Sequence, residues 1–349
     1  MPRHRLALIG LGMAVTPHAK SLLDLADRVE VAAAYSPSAT RRGAFGERFS
    51  FPLSDDLGAI LADRSIDSVA ILTPPNTHLD LARHAAAAGK HVLLEKPLEI
   101  TTARAVELVE ACARARVTLA VVLQHRFRPA AQKLAALMRG GALGELIGCS
   151  TSIRNWRPQS YYDQPGRGTR ARDGGGVLLT QGIHTLDLTL SLAGPVAEVA
   201  GYATTTPVHC METEDLVCAA VRFENGALGT IDATTTAFPG FPERIELTGA
   251  RATAVLSGTE LTVRFDDGRT VELKGDGGAA GAGADPMAFP HDWHRALLAD
   301  FLDAVDEGRP PAISGAEALR VHCLIDALLE AANGKAAVRV KDPGSLLRS

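Results

Sequence analysis

The 349-residue chain is poor in the features that mark secreted, membrane-spanning and nucleic-acid-binding proteins. Its five cysteines, Cys112, Cys149, Cys210, Cys218 and Cys323, are scattered, odd in number and form no Cys-x-x-Cys pair. That pattern argues against a disulfide framework and a cysteine zinc site, and it reads as reduced core residues. No apolar run approaches the roughly 18 residues that a membrane helix needs. The formal charge is −4, so neither sign is in large enough excess to hold nucleic acid or a membrane surface through bulk charge. The opening MPRHRLALIG is basic and then apolar, as a leader peptide is, but the apolar stretch is short and runs into glycines without a small-residue cleavage pattern. It reads as a strand. The expectation is a cytoplasmic protein with no resident metal and no nucleic-acid or membrane partner.

What is present is the composition of a packed globular protein, 46% hydrophobic and 22% charged. At roughly 100–200 residues per domain the length suggests two domains. Residues 1–125 alternate apolar runs with helical patterns. The runs Leu6–Ile9, Val31–Tyr35, Val69–Leu72, Val92–Leu94 and Leu119–Leu123 are nearly continuous, as strands covered on both faces are. Helices are expected over Pro17–Ala26, Thr77–Ala88 and Thr102–Ala115, which makes this half an α/β, doubly wound parallel sheet.

Residues 126–349 read differently. Helical spacing over Ala130–Met138 and Val177–Leu192 is set among strands Leu146–Arg154, Val196–Thr205, Leu216–Phe223, Leu228–Thr235, Arg244–Leu247, Ala252–Leu256 and Leu261–Phe265. Asn225-Gly226 and Asp267-Gly268 are hairpin signals, because these pairs tolerate positive φ. The expected architecture is α+β, an open, mainly antiparallel sheet with helices on one face. Gly275–Ala284 reads as a flexible loop. Helices about His291–Glu307 and Gly315–Ala332 close the chain and are candidates to pack back on the first half. Alternate apolar positions on the strands predict a homodimer or homotetramer, since a subunit contact would cover them.

Ile9-Gly10-Leu11-Gly12-Met13-Ala14-Val15 joins the first strand to the first helix. Gly10 permits the tight turn, Gly12 lets the backbone approach a pyrophosphate, and the helix N-terminus offers unpaired N–H groups. The third glycine of a common dinucleotide fingerprint is Val15 here. At the end of the second strand, the slot that often carries a ribose-binding carboxylate holds Ser36, with Arg41 and Arg42 following. A missing carboxylate beside guanidinium favours NADP(H) over NAD(H).

Ile71-Leu72-Thr73-Pro74-Pro75-Asn76-Thr77-His78, then Glu95-Lys96-Pro97, then Gly174-Gly175-Gly176 with Gly182 and His184-Thr185-Leu186-Asp187, resemble the Gfo/Idh/MocA oxidoreductase family. The resemblance implies a Rossmann domain followed by an open-sheet domain. It also implies hydride exchange between a nicotinamide and a sugar-like carbinol or ketone. It makes Lys96 and His184 the catalytic pair. Many members carry an aspartate four residues before that histidine, where this chain has Thr180. The nucleotide is expected at Gly10, Gly12, Met13, Ala14, Ser36, Arg41, Thr73, Pro74, Asn76, His78, Glu95, Lys96 and Gln124. Thr73, Lys96 and Gln124 end parallel strands, where open α/β sheets bind ligands. Asp187 shares a helical face with His184 and is placed to orient its imidazole.

Between Arg154 and Arg172 five arginines alternate with Trp156, Tyr161 and Tyr162. Arginine forks bind carboxylate or phosphate and aromatics stack on sugar faces, so Arg154, Trp156 and Arg167, with Thr180 and His184, are the expected contacts of a sugar-like, possibly acidic small-molecule substrate. A solvated or subunit-contacting loop explains the same residues. Two other functions fit the resemblance: an NAD-dependent glycoside hydrolase with no net redox change, and a non-catalytic sensor, against which the presence of both Lys96 and His184 argues.

Overall fold

The computed structural model describes residues 3–275 and 289–347. Chain contacts divide it into two compact units, Met1–Leu123 with Pro290–Leu319, and Gln124–Phe289 with Arg320–Ser349.

In chain order the first unit opens with β1 (His4–Ile9), α1 (Val15–Asp24), β2 (Val29–Tyr35), α2 (Ala39–Gly46), β3 (Leu53–Ser54), α3 (Leu57–Ala62) and β4 (Ser68–Ile71). It continues with α4 (His78–Ala87), β5 (His91–Glu95), α5 (Thr102–Ala115) and β6 (Leu119–Val122). The six strands form one parallel sheet in the order β3-β2-β1-β4-β5-β6. The reversal between β1 and β4 is the point where such sheets open a ligand crevice at their C-terminal edge. β4 and β6 are buried at every residue, which accounts for their apolar sequence apart from Ser68 at the start of β4. The two-residue β3 and the short helices α2 and α3 carry too few residues to show a period, and the sequence reading passes over them. Ser38 and Asp56 cap α2 and α3 by accepting backbone N–H bonds.

The second unit contains α6 (Pro129–Arg139), β7 (Leu146–Arg154), α7 (Gln159–Tyr162), a π-type turn at Leu178–Gly182, and α8 (Ile183–Ala193). Then come β8 (Val196–Thr204), β9 (Leu216–Phe223), β10 (Leu228–Thr234), β11 (Arg244–Gly249), β12 (Ala252–Ser257), β13 (Glu260–Phe265) and β14 (Thr270–Leu273). After α9 (Asp292–Glu307) and α10 (Gly315–Gly334), β15 (Val338–Arg339) adds the last edge and α11 (Pro343–Leu346) follows. The sheet has nine strands, β14-β13-β12-β11-β7-β10-β9-β8-β15, antiparallel throughout except for the parallel pair β7 and β10. Gly226 and Gly268 turn the two anticipated hairpins with φ of 88° and 87°. Helices α6 and α8 pack on one face. On that face Cys149, Thr151 and Ile153 of β7 are buried, and Thr151 bonds Thr189 of α8 at 2.9 Å. The opposite face is not the apolar surface that strand alternation suggests. It mixes Ile147, Tyr202 and Leu228 with a Ser150–Thr230 hydrogen bond and Arg154–Asp232 and Arg222–Glu198 ion pairs.

α9 belongs to the first unit and lies against α1. Ile313 and Ser314 add to the free edge of β6 through Val121 N–H to Ile313 O at 3.0 Å, closing an edge that would otherwise pair elsewhere. Beyond Gly275, the Gly/Ala stretch anticipated as a loop lies outside the described residues.

Candidate active site

The turn after β1 is shaped by Gly10. Its φ is +104°, and a Cβ there would stand 2.9 Å from the Leu72 carbonyl and from Thr73 Cγ2. Only glycine lets β1 and the end of β4 close together at this point. Gly12 differs: no atom lies within 4 Å of where its Cβ would be. Met13 is exposed, and Ala14 is the N-cap of α1 with no side-chain cap bond and no acidic residue in the first turn. Val15 N–H already bonds the Gly12 carbonyl at 3.3 Å and Pro17 has no N–H, so what the helix start offers beside the open glycine is chiefly its positive dipole end, which fits a pyrophosphate. Val15, in the place of a third glycine, is buried in the core beneath.

At the end of β2, Ser36 is buried and its Oγ accepts from Ser38 N–H at 3.3 Å. Arg42 is turned inward, bonding the Ser36 carbonyl at 2.6 Å and Asp55 at 2.9 Å. Arg41, exposed in the first turn of α2, is the arginine left facing solvent. At the end of β4, Thr73 bonds Thr77 at 2.7 Å, and Pro74 and Asn76 are exposed on the same turn.

His78 is sealed inside. Its ring nitrogens lie 2.9 Å from the Thr73 carbonyl and 2.9 Å from the Pro97 carbonyl. Burial drives the imidazole below its usual value, against the pull of these carbonyls. It ties the β4 turn to the Glu95-Lys96-Pro97 turn, so any contribution to ligand binding passes through those backbones. The Lys96–Pro97 peptide is cis, and Lys96 is half-buried at the end of β5.

Below Lys96 is a closed triad that the sequence reading missed. Glu95 accepts from His18 Nε2 at 2.8 Å and from Lys96 N–H at 3.1 Å, and the His18 ring meets His294 of α9 edge-on at 5.0 Å. Burial pushes the Glu95 carboxyl up, but the His18 hydrogen bond and the surrounding positive groups hold it below the usual range. Burial, then the neighbouring His18, lowers His294 to about 3. Donor atoms of the three lie within 4.8 Å of one another. The direct His18–Glu95 bond makes the set a brace between α1, β5 and α9. The helical phase of His18 was its only sequence signal.

In the second unit, the helix bearing His184 begins on a second missed residue, Glu214. Its carboxylate accepts Gly176 N–H at 3.1 Å and Leu178 N–H at 3.2 Å, while its carbonyl accepts Val177 N–H at 2.8 Å. Three successive donors at one helix start are thus satisfied by one residue. A Cβ on Gly176 would lie 1.8 Å from the Glu214 carbonyl, which explains the last glycine of the run. Burial raises the Glu214 carboxyl above its usual value. Thr180 donates back to the Gly176 carbonyl at 2.6 Å.

His184 is half-buried, with its ring against His125 at 4.7 Å between centroids. Gln124, buried, begins the same turn as His125. The carboxylate of Asp187 is gripped in a fork by Arg126, at 2.7 Å from Nε and 2.5 Å from Nη2. The expected Asp187 partner for His184 is thus already held by an arginine.

The arginine segment divides. Arg154 pairs with Asp232 on the sheet face away from α8, because it is one residue out of phase with Ile153. Trp156 stands edge-on to Phe238 at 5.5 Å and near His209. Arg167 lies over the Tyr161 ring at 4.3 Å. His209, wholly buried, joins Asp215 Oδ2 to the Arg157 carbonyl at 2.8 Å each and pins the segment to the sheet.

The description "Oxidoreductase family, NAD-binding Rossmann fold" matches residues 4–123, and "GFO/IDH/MocA C-terminal domain" matches residues 131–255. The chain belongs to the Gfo/Idh/MocA oxidoreductase family. Within it, the chain is 29% identical to a D-apiose dehydrogenase of Paraburkholderia graminis, over 97% of this chain and 90% of that protein. It is 27% identical to a D-xylose 1-dehydrogenase (NADP(+)) of Haloferax volcanii, over 89% and 92%. The WlbA dehydrogenase of Bordetella pertussis, solved with NADH and UDP-GlcNAcA, superposes with a TM-score of 0.83 at 26% identity over 97% of this chain and 99% of that one. Like these relatives, the family member described here is a nicotinamide-dependent oxidoreductase.

Proposed function

We propose that this enzyme exchanges hydride between NADP(H) and a carbinol or ketone of a sugar, polyol or sugar acid. The observation that carries the reading is the C-terminal edge of the parallel sheet, where the uncapped start of α1, the open side of Gly12 and Lys96 occur together. When bound, the nicotinamide supplies the hydride acceptor or donor. Gly10, Gly12, Met13 and Ala14 hold the pyrophosphate; Ser36 and Arg41 take the ribose end; Thr73, Pro74, Asn76, Lys96 and Gln124 line the nicotinamide end, and Glu95 supports Lys96 through its backbone N–H. The preference for NADP(H) rests on Ser36 in place of a carboxylate and on the exposed Arg41, a guanidinium available to a 2′-phosphate.

Lys96 contributes positive charge at the substrate oxygen as alkoxide character develops, and His184 removes or returns its proton. Trp156, Arg167 and Thr180 are the proposed substrate contacts. Arg154 is left out because its charge is spent on Asp232 across the sheet. Five cysteines free of disulfides suit a reducing compartment, and we assign the enzyme to the cytoplasm. No helix among the described residues is long and apolar enough to cross a membrane. Ile147, Tyr202 and Leu228 on the open sheet face support a homodimer or homotetramer.

The test is a screen of polyols, aldoses and sugar acids with NAD⁺ and NADP⁺ separately, following formation of reduced cofactor. Turnover with a higher kcat/KM for NADP⁺ is expected. Sugar release without accumulation of reduced cofactor would mark a glycoside hydrolase, and nucleotide binding without turnover would mark a sensor.

A further inference from the structure

Residues Gln124–Phe127 form a single 3₁₀ turn, and Arg128 then caps α6. Three side chains of this short run reach partners elsewhere in the second unit. Arg126 forks onto Asp187 of α8. One turn nearer the start of that helix, the His125 ring lies against that of His184, with centroids 4.7 Å apart and planes 27° from parallel. Arg128 is fully buried. One Nη lies 2.6 Å from His125 Nε2; the other bonds the Glu243 carboxylate and, at 3.2 Å, the Gly258 carbonyl.

An arginine has five N–H donors and no acceptor. His125 Nε2 must therefore offer its lone pair to Arg128, and the ring proton sits on Nδ1. Glu243 Oε1 is 3.7 Å from Nδ1, too far for a hydrogen bond. Protonating Nε2 as well would set one N–H against another beside a buried guanidinium. Donor chemistry thus holds the ring as one neutral tautomer in one plane.

We propose that His125 is a positioning residue for His184. Its ring, held at Nε2 by Arg128, fixes the plane in which the His184 imidazole meets the substrate. Because two protonated imidazoles in contact repel, a stacked neighbour that stays neutral leaves the exchanged proton on His184. The Arg126–Asp187 pair holds the same helix a turn further on, so the 124–128 segment sets both the ring and the helix that carries it. The inference deepens the reading of His184 as the proton-exchanging group and rests on it.

The experiment compares His125→Leu and His125→Phe, alone and combined with His184→Ala, using the substrate found in the screen. His125→Leu should lower kcat about 10-fold to 100-fold, as expected when a reacting group is misaligned, with the KM for nucleotide within about twofold. His125→Phe keeps a flat ring face but offers Arg128 no acceptor, so it should recover only part of that loss. In the His184→Ala background, His125→Leu should cost nothing further. A His125→Leu enzyme with kcat near the parent value overturns the proposal, as does a loss that adds in full to that of His184→Ala. A parent-like kcat in His184→Ala alone would instead fail the reading of His184. Nitrogen NMR of the histidine-labelled protein needs no substrate. In its neutral form His125 should carry the proton on Nδ1 and leave Nε2 bare, since Nε2 accepts from Arg128. A neutral His125 ring protonated on Nε2 would refute the tautomer lock.

Discussion

Substituting Gly12 with valine separates nucleotide binding from folding more cleanly than any other change in the glycine turn. The added side chain meets no protein atom within 4 Å of its Cβ, and Gly12 does not have a left-handed φ. Folding stability should therefore stay within about 0.5 kcal/mol of the parent, as for substitutions that touch nothing. The same side chain occupies the space through which a pyrophosphate approaches the start of α1. A hydrogen bond to a charged group contributes roughly 1.5–3 kcal/mol. Losing one such bond should weaken NAD(P)H binding about 10-fold to 100-fold, since 1.4 kcal/mol is tenfold. Gly10→Ala is the contrasting variant. Its Cβ would press within 2.9 Å of the Leu72 backbone at a φ of +104°, so it should lose about 1–3 kcal/mol of stability. Fluorescence titration with NADH and NADPH, paired with thermal melts, reads both quantities. A Gly12→Val protein that melts like the parent and binds both nucleotides as tightly would refute the site.

Three further outcomes are expected. Lys96→Ala and His184→Ala should each lower kcat by about 10²–10⁴-fold, the usual scale for losing a positioned acid–base group, while direct titration finds nucleotide affinity little changed; Thr180→Ala should cost much less. Ser36→Asp should move the kcat/KM preference toward NAD⁺ by repelling a 2′-phosphate, and no movement would remove the argument for NADP(H). His322 is buried, and burial alone lowers its imidazole from 6.5 to about 4. Its stabilising contribution is complete above pH 6.5, declines as acid favours the charged unfolded form, and is gone below about pH 4. A shift of that size corresponds to about 3 kcal/mol, so denaturant midpoints at neutral and mildly acidic pH should differ less in His322→Leu than in the parent.

The strands of the parallel sheet were legible because burial on both faces leaves continuous apolar runs such as Val69–Leu72, and α5 because Thr101 caps a regular amphipathic stretch. The family motifs Glu95-Lys96-Pro97 and His184 to Asp187 were legible as words in the chain. What could not be read is what long-range packing decides. Nothing local announces that Glu214, on the approach to β9, satisfies three donors 36 to 38 residues earlier. Nor does anything local pair Arg128 with Glu243 across 115 residues, or bring His294 beside His18. Arg154 illustrates a phase error: the arginine cluster looks uniform in sequence, yet strand alternation sends its first member to the face away from α8. Alternation also overstated the apolar character of the open sheet face, where serine, threonine and paired charges occupy most exposed positions.

Hydride transfer itself is the most direct test of the central claim. With a substrate from the screen carrying deuterium on the carbinol carbon, the account predicts that one deuterium appears at nicotinamide C4 of the reduced cofactor for each substrate oxidised, and that Lys96→Ala and His184→Ala suppress its formation without displacing the nucleotide. Product formed with the deuterium lost to solvent, or with no label in the nicotinamide, would contradict it.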